Sequence, residues 1–321
     1  MTTYPPQKRE PRRVYIVLSP RSLSYARLGL QSLLLHCLDL LEVTLITDTF
    51  EDQDLLAHTV NELSNPRAHR IRIVAKDELA DLESTTFARY ANLRSFRQGH
   101  PCWRKITDPL LLSQPGEEMI ILDPDLFFPN PFRFEPGRAQ GLSLMWQQPN
   151  CLLPPEVVQL AMRSGIRLAR HVDIGVAHWR ASAELDWVDW MLGKLGGQGL
   201  PQVMHVEAIV WAAIAMREGG GYLDPRYWKC WQRTSTKRIM LKLGFSGKRL
   251  LAAEPWTSLK CFHAGGEAKW WLPAMERNSS MPEQTEVGMT RPFIELTAER
   301  YAREEAIKRF VRRVDRFQIL R

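Results

Sequence analysis

Two carboxylates at the end of a short apolar run are the residues of this chain best suited to chemistry. Asp123 and Asp125 follow the apolar residues 119–122, with Pro124 between them. Such a run is typical of a buried strand, and proline cannot continue its ladder, so we expect the strand to end at the acids. Ligands of open α/β sheets bind beyond the carboxyl ends of strands, where two acids can share one hard cation. The alternative is a structural turn, which aspartate and proline both favour.

A second stretch whose residue types could do chemistry begins at His263. Two glycines, Gly265 and Gly266, follow it, and then Lys269. Imidazole is a common metal ligand, glycine lets a backbone approach a ligand closely, and a lysine ammonium meets phosphate as a point charge. A lone histidine after a strand is usually structural, but these neighbours together predict a ligand-binding loop.

A third candidate is an acid on an otherwise apolar helix. The pattern predicts a helix over residues 202–216, with His205 and Glu207 as its strongly polar members. A carboxylate is costly to bury unless it is paired or hydrogen-bonded. Glu207 therefore either has a buried partner or faces a polar cleft. For His205 we favour a hydrogen bond within the core.

The elements that must position these residues alternate between strand and helix. Apolar runs predict strands over residues 14–18, 43–48, 71–74, 119–122, 142–146 and 172–179. Helical spacing predicts helices over residues 24–37 and 51–63, and from Pro155 onward. The first half of this order is typical of a nucleotide-binding α/β fold with parallel strands and crossover helices.

Neither common glycine-rich phosphate cradle is found. The turn after the first strand lacks Gly-x-Gly-x-x-Gly, and the chain contains no Gly-Lys-Ser/Thr loop. Dinucleotide oxidoreductases and P-loop NTPases are therefore not expected. A protein that holds a diphosphate without such a cradle needs other counter-charge, which a metal on Asp123 and Asp125 would supply.

Composition places the chain among soluble globular proteins. Its 321 residues are 45% hydrophobic and 25% charged, enough for one elaborate domain or two fused subdomains. No stretch is apolar enough to span a bilayer, and residues 1–10 lack a signal-peptide core, so we predict a cytoplasmic location. Five widely spaced cysteines argue against a disulfide framework or a zinc site.

The positive charge is concentrated at the chain ends. The net charge is +7, of which residues 1–13 contribute +3 and residues 308–321 contribute +5, which leaves about −1 for the body. A basic face for nucleic acid is therefore not expected.

The two motifs together resemble the retaining glycosyltransferases of family 8, which include glycogenin and bacterial lipooligosaccharide galactosyltransferases. The later motif, His-x-x-Gly-x-x-Lys-x-Trp, consists of His263, Gly266, Lys269 and Trp271. In that family, which has the GT-A fold, the aspartates and the histidine coordinate manganese on the nucleotide-sugar diphosphate, and the lysine contacts the phosphates. The resemblance implies a Mn²⁺ (or Mg²⁺) site on Asp123, Asp125 and His263. It also implies that Gly266 and Lys269 bind the nucleotide-sugar donor.

Weaker matches lie between the motifs. The family's aromatic residue over the uracil base is similar to Tyr25, and its basic residue ahead of the Asp-x-Asp strand is similar to Arg104 or Lys105. Asp173 lies in a segment that resembles the family's acceptor-side strand, and Glu207 on a helix that resembles its Asp-Gln-Asp helix. This resemblance makes Glu207 and Asp173 the expected catalytic residues, with both lining one cleft.

The chain also departs from the family pattern. Its helix reads His205-Val206-Glu207 instead of carrying the family's amide and acids. Trp270 stands where the family has proline.

The resemblance implies an α/β protein of GT-A type, with a single Rossmann-like nucleotide-binding sheet, a fused acceptor subdomain and a C-terminal helical tail. We expect a disordered basic leader (1–12), a nucleotide-sugar-binding subdomain (13–135), an acceptor subdomain (136–290) and a basic amphipathic tail (291–321). The predicted activity is metal-dependent transfer of a sugar from a UDP-sugar to a glycan, lipid-linked or protein acceptor. Alternatives are a metal-dependent nucleotide-sugar hydrolase and a nucleotide-sugar-binding protein without turnover.

The tail carries a prediction of its own. If residues 297–318 are helical, apolar residues form one stripe and bases occupy the opposite side. Such a helix predicts peripheral contact with the inner face of an anionic membrane. The alternative is that the stripe docks on the protein and the bases are solvated.

Overall fold

The computed structural model describes residues 10–137, 141–180, 184–232, 234–274 and 282–319. Most of the predicted leader lies outside these ranges, and the first strand begins at Arg12. The strands are β1 (Arg12–Val17), β2 (Leu41–Thr47), β3 (Arg70–Ala75), β4 (Glu118–Leu122), β5 (Leu126–Phe127), β6 (Leu142–Trp146), β7 (Val172–Arg180), β8 (Gly220–Tyr222), β9 (Trp228–Cys230), β10 (Cys261–His263) and β11 (Arg291–Pro292). The helices are α1 (Leu23–His36), α2 (Phe50–Asn61), α3 (Ala80–Thr86), α4 (Ala91–Arg97), α5 (Arg104–Leu112), α6 (Pro155–Arg163), α7 (Leu185–Leu195), α8 (Val206–Glu218), α9 (Ser235–Lys242), α10 (Gly247–Ala252), α11 (Ala268–Trp271) and α12 (Ala298–Ile319).

The strands form one mixed sheet. Its order is β3–β2–β1–β4–β7–β6–β9–β10–β5, with β8 beside β6 and β11 beside β8. Strands β1 to β4 are mutually parallel, whereas β7 runs antiparallel to β4. The sheet is continuous across residue 135, so the predicted subdomain boundary divides the chain and not the sheet.

Both faces of the central strand β4 are covered. Met119 and Ile121 lie in a core that includes residues of α4, α5, α7 and α8, whereas Ile120 and Leu122 lie in a core that includes residues of α1. Successive side chains of a strand point to opposite faces of the sheet. Burial of all four explains why the sequence shows an unbroken apolar run instead of alternation.

Local signals fix the helix that follows β2. Thr49 is the N-cap of α2, and its side chain accepts a hydrogen bond from the backbone N–H of Asp52 at 3.2 Å. Glu51 and Asp52 in the first turn add negative charge where the helix dipole is positive. These signals start the crossover between the parallel strands β2 and β3.

Three helices that the sequence pattern did not predict lie between β3 and β4. The buried Arg97 of α4 contacts Glu83 of α3, and its Nε donates to Asp108 Oδ1 of α5 at 2.7 Å. One guanidinium thus ties three short helices together. These helices also position two predicted site residues, because α5 carries Arg104 and Lys105.

The apolar helix α8 corrects two predictions. It spans Val206–Glu218, four residues later at its start than expected, because backbone bonds such as Glu207 N to Met204 O at 3.2 Å form a tighter turn before it. His205 is therefore the N-cap residue of α8 and is exposed. The interpretation of His205 as a buried core histidine was wrong, whereas Glu207 is buried as expected.

The tail helix α12 begins close to its predicted position. Leu296 and Tyr301 belong to the main core, and Arg170 Nε donates to Glu304 Oε1 at 2.7 Å. The first turns of α12 therefore dock on the body. The side chains from residue 310 onward, on which the predicted membrane stripe depends, lie outside the described residues.

Candidate active site

The acid pair occupies a turn between two strands. Strand β4 ends at Leu122, the N–H of Asp123 donates to the Gly175 carbonyl of β7 at 2.9 Å, and β5 begins at Leu126. The carboxylates of Asp123 and Asp125 are each 12% exposed. Their partners are charged side chains from other elements, which is the behaviour of a site and not of an isolated Asx turn.

His263 reaches this turn through strand pairing. Strand β10 pairs antiparallel with β5, with His263 opposite Leu126. This register places His263 Nε2 at 3.2 Å from Asp125 Oδ1 and 3.6 Å from Asp123 Oδ2. Two motifs 138 residues apart in the sequence therefore meet at one edge of the sheet.

Asp173 lies behind the imidazole. Its Oδ1 is 2.8 Å from His263 Nδ1 and accepts from the N–H of Gly175 at 3.0 Å. Asp173 and Glu207 are both buried in this structure, with 2% and 1% of their surface exposed. The carboxylate of Asp173 is occupied in orienting His263, and that both acids line one cleft stays a prediction. That contact directs Nε2 towards Asp123 and Asp125.

The charges in this cluster shift one another's ionisation. Burial alone would lower the pKa of His263, but Asp173 and Asp125 raise it well above its ordinary value. Burial would raise the pKa of Asp125, yet His263 and Lys269 hold it well below its ordinary value. For Asp123 burial prevails and the pKa is raised, against the opposing effect of Lys105. Cationic side chains thus favour the ionised form of Asp125, whereas burial disfavours that of Asp123.

Lys105 links the acid pair to the apolar helix. Its Nζ contacts Asp123 Oδ1 and lies 2.8 Å from Glu207 Oε1. Trp211 Nε1 also donates to Glu207 Oε1 at 3.1 Å. Burial raises the pKa of Glu207, and the ammonium of Lys105 opposes that rise by favouring the carboxylate. Of the two alternatives for Glu207, the structure therefore shows the buried partner, and that partner contacts the acid pair.

Arg104 faces a different part of the same sheet edge. Its Nη1 donates to the Thr47 carbonyl, the last residue of β2, at 3.0 Å, and its Nη2 contacts Asp48. Of the two basic residues predicted ahead of β4, Lys105 approaches the acids and Arg104 approaches the carboxyl end of β2.

Lys269 approaches the acids from the other side. Its Nζ is 3.6 Å from Asp125 Oδ2 and 4.4 Å from the centre of the Tyr25 ring. Tyr25 in turn meets Trp270 edge to face, with ring centres 5.3 Å apart. Gly266 has φ +66°, a backbone conformation that favours glycine. Of the residues predicted to bind the nucleotide sugar, Lys269 therefore contacts Asp125, and Tyr25 lies beside Lys269.

Two glycines have roles that sequence reasoning missed. A Cβ at Gly175 would lie 2.6 Å from His263 Nδ1, and one at Gly29 would lie 2.4 Å from the Leu126 carbonyl. Gly175 makes room for the imidazole, and Gly29 lets α1 pack against the chain directly after the acid turn. A glycine inside a strand pattern signals such a close approach, and this signal was available at Gly175.

The cluster fits a divalent cation. Asp123, Asp125 and His263 offer two carboxylate oxygens and one imidazole nitrogen within 4.8 Å of one another. This oxygen-rich donor set suits Mn²⁺ or Mg²⁺. A second group, Asp173, Cys230 and His263, is buried throughout and shares the same histidine. It fits less well, because burial strongly raises the pKa of the Cys230 thiol and so disfavours the thiolate.

Among the helices that the structure describes, none combines the length and the apolar character that a bilayer crossing requires.

Comparisons with known proteins give matches in structure alone. No protein-family model and no curated protein sequence matches the chain. The apo form of mouse xyloside xylosyltransferase 1 superposes with a TM-score of 0.50 at 10% identity, over 80% of this chain and 98% of that one. The galactosyltransferase LgtC in complex with donor and acceptor sugar analogues gives 0.47 at 9% identity, over 84% and 97%. Core-mannan synthase A of Aspergillus fumigatus in its Mn/GDP form gives 0.40 at 9%, over 66% and 71%.

The xylosyltransferase match and the mixed sheet together confirm the predicted fold class. The chain is an α/β protein with the GT-A fold that is known from glycosyltransferases.

Proposed function

We propose that this protein is a metal-dependent glycosyltransferase that uses a nucleoside diphosphate sugar, most simply a UDP-sugar, as donor. The observation that carries this proposal is the convergence of Asp123, Asp125 and His263 at the carboxyl edge of a GT-A sheet. Lys105 and Lys269 flank the cluster with two positive charges. A site for a cation and a diphosphate needs both features.

Each side chain has a defined part in this proposal. Asp123, Asp125 and His263 hold Mn²⁺ or Mg²⁺, which supplies positive charge to the diphosphate when bound. Lys269 contacts the phosphates as a second cation, and Tyr25 covers the base. The bond between the sugar and the diphosphate breaks, the sugar forms a bond to the acceptor oxygen, and the nucleoside diphosphate leaves and takes up the proton that the acceptor hydroxyl loses.

Glu207 and Asp173 have unequal parts. In this proposal Glu207 fixes Lys105 against Asp123 and faces the acceptor side of the donor sugar. Asp173 is a positioning residue for His263 and does not touch the substrate. We carry retention of the anomeric configuration over from the resemblance to family 8.

A donor panel tests the proposal directly. The full chain with Mn²⁺ is incubated with UDP-, GDP- and dTDP-sugars, with and without glycan and lipid-linked acceptors, and sugar transfer is followed by mass spectrometry. We expect transfer that needs both Mn²⁺ and an acceptor. Release of free sugar without an acceptor would favour a hydrolase instead, and donor binding without either product would favour a binding protein.

Thermal unfolding identifies the donor independently of the acceptor. A donor present at 100 times its dissociation constant should stabilise the fold by about 2.7 kcal/mol. We expect this stabilisation from a UDP-sugar with Mn²⁺, and its loss when EDTA removes the metal. No stabilisation by any of the donor classes would contradict the proposal.

A further inference from the structure

Helix α9, the turn after it and helix α10 form a segment, outside the acid cluster, that exposes large apolar side chains. On α9 and the turn after it, Ile239 is 57% exposed, Leu243 72% and Phe245 41%. Burial of such side chains is the usual source of stability, so three exposed within seven residues form a distinct surface.

The same segment is basic throughout. Residues 234–253 contain Lys237, Arg238, Lys242, Lys248 and Arg249 and no aspartate or glutamate. The side chains of Lys242, Lys248 and Arg249 are exposed beside the apolar ones. Exposed apolar side chains and basic side chains thus lie side by side in this segment, and the segment itself contains no acidic residue.

The backbone holds these side chains in fixed positions. Helix α9 ends in a Schellman motif: Gly244 has φ +86°, its N–H donates to the Leu241 carbonyl at 3.1 Å, and the Phe245 N–H donates to the Met240 carbonyl at 3.0 Å. Ser246 then caps α10 by accepting from the Arg249 N–H at 3.3 Å. The protruding residues therefore belong to a defined turn.

The opposite side of the segment packs on the protein. Met240 and Leu241 contact a small core that contains Leu250 and Leu251. A Cβ at Gly247 would lie 2.2 Å from the Trp271 ring of α11, so α10 lies directly against that helix. The partial burial of Met240 and Leu241 accounts for the packing of α9, whereas Ile239, Leu243 and Phe245 stay exposed on its other side.

We propose that residues 239–249 form a contact surface for an anionic lipid bilayer, which we call the α9 surface. A turn that exposes apolar side chains between lysines and an arginine can insert those side chains among lipid headgroups while its bases meet the anionic charge. A protein partner of ordinary interface size would need an apolar recess surrounded by acids to match it. The charge complementarity and the protruding shape favour the bilayer.

The α9 surface is distinct from the predicted tail contact and does not depend on the proposed catalytic activity. It lies one helix away from Lys269, because α10 packs on α11, which carries that lysine.

Vesicle sedimentation of the full chain tests this proposal. The wild type is mixed with vesicles of phosphatidylcholine alone and with vesicles containing one quarter phosphatidylglycerol, at low and at physiological salt. We expect binding to the anionic vesicles that weakens with salt. The double variant Leu243→Ser/Phe245→Ser should bind at least about tenfold less, since two inserted side chains are lost.

Matched variants separate the α9 surface from general effects. Leu55→Ser/Leu82→Ser removes two exposed leucines elsewhere and should bind like the wild type. Lys242→Gln should weaken binding about fivefold, which corresponds to the attraction of one base near an anionic surface, whereas Lys194→Gln on α7 should not. Melting temperatures of all variants verify that folding is unchanged.

Several outcomes would overturn the proposal. Equal sedimentation of the wild type and Leu243→Ser/Phe245→Ser would do so, as would a wild type that binds neither vesicle. A full chain with Arg312→Gln and Arg316→Gln measures the tail contribution: if this variant alone loses all binding, the tail and not the α9 surface makes the contact. Self-association without vesicles that Leu243→Ser/Phe245→Ser abolishes would assign the surface to a second copy of the chain.

Discussion

Asp125 contacts His263 through one carboxylate oxygen and Lys269 through the other. It lies on a turn and contributes little to the apolar core. Asp123, in comparison, is also bound by Lys105 and by the backbone of β7. Asp125 is therefore the better residue with which to test the metal site.

Substitution Asp125→Ala should remove Mn²⁺-dependent UDP binding, with a fall in affinity of at least about a hundredfold, because one of three cation ligands is lost. Isothermal titration calorimetry with UDP and Mn²⁺ measures this directly. The control Asp54→Ala removes an exposed carboxylate from α2 and should bind UDP like the wild type. Unchanged UDP–Mn²⁺ affinity in Asp125→Ala would show that the site assignment is wrong.

Glu207 is the residue for which structural and chemical roles are hardest to separate, since it is buried and paired with Lys105. Substitution Glu207→Gln keeps its shape and removes its charge. We expect sugar transfer to fall at least about tenfold while UDP–Mn²⁺ binding persists, because Lys105 loses the partner that fixes it beside the donor.

The control for this variant is Glu156→Gln on the exposed face of α6. Steady-state transfer rates and melting curves of both variants are compared with the wild type. Unaltered turnover combined with a lower melting temperature would assign Glu207 a purely structural role.

At the scale of elements, the site depends on how closely β7 approaches the end of β10. A side chain at Gly175 would occupy the space of the His263 ring, and Asp173 on the same strand contacts the imidazole nitrogen Nδ1. His263 can therefore take its position because Gly175 has no side chain. The same holds on the other side, where Gly29 lets α1 approach the chain that follows the acids.

Substitution Gly175→Ala should displace the His263 ring and weaken Mn²⁺-dependent UDP binding at least about tenfold. Overpacking at this position should also lower the free energy of unfolding by about 1–3 kcal/mol. Calorimetry and denaturant unfolding measure the two effects. Gly199→Ala is the matched control, because its Cβ would meet no atom within 4 Å, and metal binding as strong in Gly175→Ala as in this control would contradict the role of Gly175.

At the scale of the whole molecule, a partly buried ionic contact joins three strands of the sheet. Arg12 of β1 donates from Nε to Glu118 Oε2 of β4 at 3.0 Å, and Glu118 Oε1 is 2.8 Å from His178 Nε2 of β7. Burial would raise the pKa of Glu118, but His178 and Arg12 lower it to about 2. The carboxylate form is therefore favoured in the folded state.

The lowered pKa of Glu118 determines how this contact contributes to stability at different pH values. A carboxyl whose folded pKa lies below its unfolded value stabilises the fold at pH values above the unfolded pKa, and this contribution is lost as the pH falls towards the folded pKa. Substitution Glu118→Gln should lower the free energy of unfolding at pH 7 by about 1–3 kcal/mol. The difference from the wild type should shrink between about pH 4.5 and pH 2.

Urea unfolding at a series of pH values checks this expectation, with Glu299→Gln on the exposed face of α12 as control. A Glu118→Gln variant whose deficit stayed constant from pH 7 to pH 2 would show that the ionised carboxylate is not the stabilising group.

The basic tail helix was predicted to contact a membrane. The predicted contact through residues 297–318 stays a prediction, because its apolar stripe depends on side chains beyond residue 309. The structure adds that the start of this helix is docked through Tyr301. Any lipid contact by the tail would therefore begin after a docked helix turn.

The sequence alone determined the features that depend on near neighbours. The apolar run before Asp123, the break at Pro124 and the motif from His263 to Lys269 identified the chemically important residue types, because strand period, proline geometry and side-chain chemistry are local properties. These patterns, with the family resemblance, were enough to predict a GT-A type sheet. They also predicted the strands β6 and β7 to within a residue.

Only the tertiary structure decided which of these residues meet and in what role. The pairing of β10 with β5 brings His263 to the acids, and the pairing of β4 with β7 brings Asp173 behind the imidazole. Helix α5, inserted between β3 and β4, delivers Lys105 to both Asp123 and Glu207. Contacts between segments far apart in the chain are set by strand order, register and burial, and no local period of the sequence specifies these.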